Sequence, residues 1–129
     1  MNYYMSKKIK RSFEEAVQLV TEGLKVEGFG VVSEINMNEK LKEKLGVDFR
    51  KYKILGACNP AYAYEALLEE DKIGVILPCN VIIQELSEGV IEVAAVNPVA
   101  SMSSIDNSKL MKIALDVQHK LKSVIERLK

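Results

Sequence analysis

The sequence predicts an α+β domain in which an antiparallel sheet of about five strands packs with helices on one side, and a long C-terminal helix closes the chain. Residues 81–86 and 90–96 have strand character and are joined by Ser87-Glu88-Gly89, a tight hairpin signal. In the last segment, apolar residues recur every three or four positions, as on a helix with one buried face. These residues are Leu110, Ile113, Val117, Leu121, Val124 and Leu128.

The remaining elements follow from alternation, capping pairs and glycines. Strands are predicted where apolar and polar positions alternate, and helices where a capping residue precedes apolar residues at helical spacing. In chain order, these signals predict a strand at 3–10, a helix from the Ser12–Glu15 capping box to Gly28, a strand at 31–37, a short charged helix at 39–45, a strand at 52–58, a helix at 60–70, a buried irregular segment at 75–77 and a loop at 99–105.

Two Asn-Pro steps mark the ends of predicted strands. Asn suits a helix N-cap, and Pro suits the first helical position. Asn59-Pro60 is therefore interpreted as a helix cap and Asn97-Pro98 as a turn. Neither step requires a chemical role.

Length and charge limit the classes of function. The 129 residues predict one domain over residues 1–129. The 48% hydrophobic and 28% charged residues are typical of a globular domain that folds without metals or disulfides. Because 18 basic and 18 acidic side chains cancel, no global field attracts phosphate backbones, and we expect no nucleic-acid partner.

The sequence also carries no targeting signal that would place it at a membrane. The start, MNYYMSKKIKRSF, lacks the apolar run of a signal peptide, and no stretch approaches the ~20 apolar residues of a membrane span. We therefore expect a cytoplasmic protein with no membrane partner. In that compartment Cys58 and Cys79 are expected to be free thiols.

Three separated segments, taken together and in this order, resemble one known family. They are Lys44-Leu45-Gly46-Val47-Asp48-Phe49, Leu55-Gly56-Ala57-Cys58-Asn59-Pro60 and Leu77-Pro78-Cys79-Asn80-Val81. The chain resembles, over nearly its whole length, the family known as domain of unknown function 302 (DUF302). The resemblance implies a compact α+β fold with an antiparallel sheet and a homodimer. It implies no established reaction.

Cys58 has the clearest potential for chemistry. It lies between the end of a predicted strand and the N-terminus of a predicted helix, where backbone N–H groups and the helix dipole lower a thiol pKa. A thiolate there would act as a nucleophile, a redox sensor or a metal ligand. The simpler interpretation is a small apolar residue filling a strand end, and this one is favoured. Cys58 is kept as the one catalytic candidate, and no catalytic residue is assigned.

Cys79 precedes Asn80 just as Cys58 precedes Asn59, and the repeated Cys-Asn step suggests a paired site. The spacing matches no zinc motif, and two thiols with a single histidine do not complete a tetrahedral zinc site. No metal or cofactor is therefore predicted, although Cys58 and Cys79 would be the ligands of any soft metal. A disulfide between them requires Cα atoms within roughly 7 Å, and this question stays open at the level of sequence.

His119 is the only histidine in the sequence. It lies well away from the apolar stripe of the last helix, so it is expected to be exposed. Asp116 lies one helical turn before it, but such a pair on a solvated face is more often a surface ion pair than a catalytic dyad. We assign it no catalytic role.

The leading hypothesis is a small dimeric binding or sensing module whose ligand is a small molecule. Its cleft would be formed by Cys58, Asn59, Tyr62, Cys79 and Asn80. Tyr62 and Tyr64 flank the first turn of the predicted helix, where they would line a small cleft beside Cys58 or pack against a partner subunit. Two alternatives stay open: a thiol-dependent enzyme or redox protein that uses Cys58, and a purely structural interaction domain.

Overall fold

The computed structural model describes residues 2–129 and confirms the predicted order of elements. Five strands and five α-helices are joined by short connections, with one additional 3-10 turn. They are β1 (Tyr4–Lys10), α1 (Phe13–Val26), β2 (Gly30–Asn36), α2 (Met37–Leu45), β3 (Tyr52–Cys58), α3 (Pro60–Glu69), the 3-10 turn Ile73–Ile76, β4 (Cys79–Ser87), β5 (Val90–Val96), α4 (Pro98–Ser101) and α5 (Ser108–Arg127).

All five strands form one antiparallel sheet in the order β1-β5-β4-β3-β2. The predicted hairpin joins β4 to β5, and Gly89 at its turn has φ 75°, a conformation that glycine adopts at no steric cost. At one edge, the pairing of β2 with β3 shifts register between Val31 and Ser33, which is a β-bulge. This bulged edge lies beside the end of β3 that carries Cys58.

The helices cover one face of the sheet, as predicted. On β4 and β5 every second residue points into the core, because side chains alternate between the two faces of a strand. The core residues of these two strands are Cys79, Val81, Ile83, Ile91, Val93 and Ala95, all at most 8% exposed. The residues between them face the other side, where Ile82 and Ala94 are only half-buried.

The two long helices are fixed at their ends. Ser12 and Glu15 form the predicted capping box, with the Glu15 N–H donating to Ser12 Oγ at 3.2 Å and the Ser12 N–H donating to Glu15 Oε1 at 3.1 Å. Asn107 caps α5 by accepting from the N–H groups of Lys109 and Leu110, each at 3.0 Å. The six residues of the predicted apolar stripe on α5 are all buried.

The segment 75–77 was expected to be buried, and this prediction is wrong for two of its residues. Val75 is 85% exposed and Ile76 is 36% exposed. The segment ends a 3-10 turn in which only Ile73 points into the core, because three residues per turn send neighbouring side chains in different directions. The turn is followed by Leu77 and a cis Leu77-Pro78 peptide.

Two further boundaries differ from the predictions. The strand expected at 31–37 ends at Asn36, and Met37 opens α2; as an edge strand, β2 is mostly exposed rather than half-buried. The loop expected at 99–105 begins inside α4, a single helical turn. Within residues 2–129, no helix combines the length and the apolar character that a membrane crossing requires.

Candidate functional site

An apolar cavity of about 300 Å³ lies at the end of the sheet where β3 finishes and β4 begins. It is enclosed by this end of the sheet, by α3 and by α5. Four of the five residues predicted to form a cleft line it: Cys58, Asn59, Tyr62 and Cys79. Among residues 2–129, no Asp, Glu, Lys, Arg or His side chain lines this cavity.

Antiparallel pairing brings the two cysteines together. Cys58 is the last residue of β3, and Cys79 is the first residue of β4. Ala57 pairs with Cys79 across the two strands, so the cysteines are offset by a single residue in register. Both are free thiols. The strand register therefore brings the two cysteines together, as the repeated Cys-Asn step suggested.

The two thiols differ in their surroundings. Cys79 is only 8% exposed, and its burial raises the pKa of its thiol from 9.0 to about 11. Removal from water disfavours the charged thiolate, and repulsion by a charge on Cys58 acts in the same direction to a smaller extent. Cys79 is therefore a neutral thiol at pH 7. Cys58 is half-buried and is the more accessible of the two.

Asn59 occupies the predicted N-cap position of α3, but its side chain does not cap the helix. Its Nδ2 instead donates to the carbonyl oxygen of Glu27, just after α1, at 3.3 Å. The adjacent Gly28 has φ 86°, and a Cβ there would lie 3.2 Å from Asn59 Nδ2. Glycine at position 28 therefore both permits the turn and leaves room for the Asn59 amide.

Tyr62 lies at the border of the cavity with a wider groove between α3 and α5. This groove, of about 980 Å³, carries charged side chains of both signs. Three residues line both spaces: Asn59, Tyr62 and Ile113. The apolar cavity and the charged groove thus adjoin each other at these three residues, of which Asn59 and Tyr62 are polar.

Asn80 is not brought to the cavity. It is exposed and lines a depression of about 430 Å³ on the opposite face of the sheet, together with Tyr52 and Ile82. The physical reason is the alternation of side chains along β4, because Cys79 points into the helix side and its neighbour points away. The similarity of the two Cys-Asn steps therefore does not extend to their asparagines.

His119 is exposed, as predicted, and does not line the cavity. Asp116 lies on the charged groove. Across residues 2–129, no cluster of three or more His, Cys, Asp or Glu side chains is arranged to hold a metal ion. The Cys58–Cys79 pair thus has no further protein ligand of these types beside it.

Most of the residues that line the cavity were not among the candidates predicted from the sequence. Leu67, Leu77, Met102, Ile113 and Val117 also line it. Ile113 and Val117 belong to the apolar stripe of α5, and that stripe was assigned to the core. A pattern of apolar residues indicates burial but does not distinguish a packed contact from the wall of a cavity.

Comparison with known proteins identifies the family. A family model described as "Domain of unknown function DUF302" matches residues 5–128. The chain belongs to the DUF302 family. This DUF302 chain is also similar to the crystal structure of the uncharacterized conserved protein DUF302 from Bacillus stearothermophilus, with 28% sequence identity, a TM-score of 0.91 and 100% of each chain covered. A search of curated proteins returned no match.

Proposed function

We propose that this DUF302 domain, taken as one unit over residues 1–129, binds a small molecule in the cavity beside Cys58 and Cys79. The observation that carries the proposal is the apolar cavity of about 300 Å³. Ligand sites are typically clefts or cavities of about 300–1,000 Å³, lined by apolar side chains with a few polar groups that orient the ligand. This cavity has that composition, with Asn59 and Tyr62 as its polar groups.

Burial of apolar surface supplies the binding free energy. Each Å² of apolar surface removed from water stabilises a complex by about 25 cal/mol before the costs of association are subtracted. The cavity offers Leu67, Leu77 and Val117 for such contacts, and it has no charged group to desolvate. An uncharged, largely apolar molecule is the class of ligand that fits these walls.

A titration with naphthalene tests the proposal. We expect ¹⁵N–¹H NMR signals of Cys58, Asn59 and Tyr62 to shift with added naphthalene, and signals of the hairpin around Gly89 to stay unchanged. The variant Ala63→Phe fills the cavity and should abolish these shifts. Ala61→Phe makes the same change at an exposed position of α3 and should bind normally. Absence of saturable shifts in the wild-type protein would rule the proposal out.

A homodimer fits the uncovered face of the sheet. Ile54, Ile82 and Ala94 lie side by side across β3, β4 and β5 on that face. Five strands, four of seven residues and one of nine, give a face of about 24 by 23 Å, or about 550 Å². Two such faces in contact bury about 1,100 Å², which is near the lower limit for a stable interface. We therefore place the dimer contact on this face.

Sedimentation equilibrium tests the dimer. The wild-type protein should sediment as a dimer, and Ile82→Lys should sediment as a monomer, because it places a charge at the centre of the contact. Val32→Lys introduces the same charge at an exposed position on the edge strand and serves as the control. A monomeric wild-type protein at every concentration would contradict the dimer.

A thiol-dependent activity is the second proposal, and it rests on the presence of Cys58 within the same cavity. A molecule bound there would contact the more accessible of the two thiols. If Cys58 is a reactive thiolate, its rate of alkylation by iodoacetamide should stay high below pH 7. A rate that falls tenfold per pH unit would leave only the binding role. Two free thiols also fit a cytoplasmic location, where reduced cysteines persist.

A further inference from the structure

We infer that the ligand of this cavity is a neutral molecule with an apolar body of about two rings and one hydroxyl group, which hydrogen-bonds to Asn59 and Tyr62. The inference rests on the proposed binding function and specifies the chemistry of the ligand. It follows from three features of the cavity: the hydrogen-bonding groups left unused in its wall, its volume and its lack of charge.

Two polar groups at the border of the cavity keep free hydrogen-bonding capacity. The amide nitrogen of Asn59 is committed to the Glu27 carbonyl, but among residues 2–129 nothing donates to its Oδ1. The hydroxyl of Tyr62 likewise has no hydrogen-bond partner within residues 2–129. No buried side-chain N or O atom of the described residues lacks a partner, so both groups remain accessible to solvent or to a ligand.

The two unused groups are complementary to a hydroxyl. The Oδ1 of Asn59 can only accept a hydrogen bond, whereas the hydroxyl of Tyr62 can donate one and accept one. A group that donates to the first and accepts from the second must be both donor and acceptor. An alcohol or phenol meets this requirement, whereas an ether, a ketone or a tertiary amine satisfies at most one of the two.

The volume sets the size of the apolar body. A cavity of roughly 150 Å³ holds one benzene ring. The cavity of this protein has about twice that volume, 300 Å³. A body of two fused rings, or an aliphatic group of similar size, therefore fills it.

The charges around the cavity favour a neutral ligand. No ionisable side chain other than the two thiols and Tyr62 lines the cavity within residues 2–129. In the neighbouring groove, Lys109 and Lys120 lie 3.9 Å from carboxylates of Glu69 and Glu27 respectively. Lys112 also lines that groove but does not line the cavity. An ionised group inside the cavity would therefore lose its hydration without a counter-charge in the described cavity wall, which is costly in an apolar site.

Two probes of nearly the same shape test this inference. 2-Naphthol carries the hydroxyl, and 2-methylnaphthalene carries a methyl group in its place. We expect 2-naphthol to bind the wild-type protein about 25-fold more tightly at pH 7, because each of two net hydrogen bonds contributes about five-fold. The measurement is the dissociation constant of each probe, from NMR titrations of the backbone amides of Cys58 and Asn59.

The variant Tyr62→Phe should reduce this preference to about five-fold, because it deletes the hydroxyl and leaves the hydrogen bond to Asn59 in place. Tyr64→Phe is the matched control: Tyr64 lies on the same helix, is 66% exposed and does not line the cavity, so the preference should persist. Since the Tyr62 hydroxyl has no hydrogen-bond partner among the described residues 2–129, both variants should keep the wild-type melting temperature.

The outcomes separate the inference from the proposed function. Equal or tighter binding of 2-methylnaphthalene, or an unchanged preference in Tyr62→Phe, overturns the hydroxyl assignment while leaving the cavity as a binding site. Failure of both probes to bind the wild-type protein overturns the binding function and the inference with it.

Discussion

Two Asn-Pro steps with nearly the same backbone serve different purposes in this fold. Asn59 has φ −102° and ψ 103°, and Asn97 has φ −92° and ψ 103°. Each follows a strand and precedes a helix that starts with proline. The Asn97 side chain caps its helix by accepting from the Val99 N–H at 3.1 Å, whereas the Asn59 side chain does not cap α3.

The difference lies in how fully each amide is used. Asn97 is 6% exposed, and its side chain also donates to the Asn2 carbonyl at 3.0 Å and accepts from Gln118 Nε2 at 2.9 Å. Asn59 is half-buried, and within residues 2–129 its side chain makes a single hydrogen bond, to Glu27. A saturated amide stabilises the fold, whereas an unsaturated amide beside a cavity is available to a ligand. The same two-residue motif therefore stabilises the fold at Asn97, and we propose that it contributes to ligand binding at Asn59.

The largest expected effect is on stability at Asn97. Asn97→Ala leaves the Val99 N–H, the Asn2 carbonyl and the Gln118 amide without their partner, and one unsatisfied buried group costs about 1–3 kcal/mol. Because water can reach some of these groups, we expect a loss of about 3 kcal/mol in the free energy of unfolding, measured by urea denaturation. Asn107→Ala removes only a helix cap and should lower the free energy of unfolding by about 1 kcal/mol. It serves as the reference for Asn97→Ala. If Asn97→Ala lowered the free energy of unfolding no more than Asn107→Ala, the stabilising role assigned to the Asn97 side chain would be wrong.

The free energy of unfolding should depend on pH through Cys79, which lines the same cavity as Asn59. Around Asn97 we expect no such dependence, since no titratable side chain of residues 2–129 hydrogen-bonds to it. Burial raises the pKa of Cys79 to about 11 in the folded protein from 9.0. Below pH 9 the thiol is neutral in both states, so its contribution to stability is fully present. Between pH 9 and 11 the unfolded chain releases the proton first, and stability falls by about 2 kcal/mol.

Comparison with Cys79→Ala isolates this effect, because lysines and tyrosines titrate in the same range in both proteins. Urea denaturation at pH 8 and pH 11 should show a larger loss for the wild-type protein than for the variant, by about 2 kcal/mol. Equal losses would mean that Cys79 is not a buried neutral thiol.

The smallest effect on stability is expected at Asn59. Asn59→Ala removes one hydrogen bond of 3.3 Å and no cap, so the free energy of unfolding should fall by only about 0.5 kcal/mol. Its affinity for 2-naphthol should nevertheless fall by about five-fold, because the ligand loses its acceptor. A large loss of stability with unchanged affinity would reverse the roles assigned to Asn59 and Asn97.

Local signals in the sequence predicted most of the fold. The strand at 52–58 is found with its predicted bounds, and the Ser12–Glu15 capping box has both of its hydrogen bonds. These features depend on residues within a few positions of one another. Val75 and Ile76 were wrongly predicted to be buried, because their exposure depends on how a 3-10 turn packs against distant parts of the chain.

The candidate site was predictable only in part, for the same reason. Cys58, Asn59 and Tyr62 are adjacent in sequence, and their common location follows from a strand running into a helix. Cys79 joins them because of the register between β3 and β4. Asn80 does not join them because it lies on the other face of β4. Neither the register nor the volume enclosed by α3 and α5 is encoded in a short motif.

Gly56, on β3 three residues before Asn59, lies against side chains from two other parts of the chain. A Cβ at this position would overlap Ser33 Oγ on the bulged edge strand and lie 2.7 Å from Pro78 Cγ. A larger residue at position 56 would therefore require the Ser33 side chain and the Pro78 ring to move, or smaller residues in their places. Sequence drift in this part of the molecule should proceed in coordinated steps rather than one position at a time, and related chains with another residue at position 56 should differ at the other two as well.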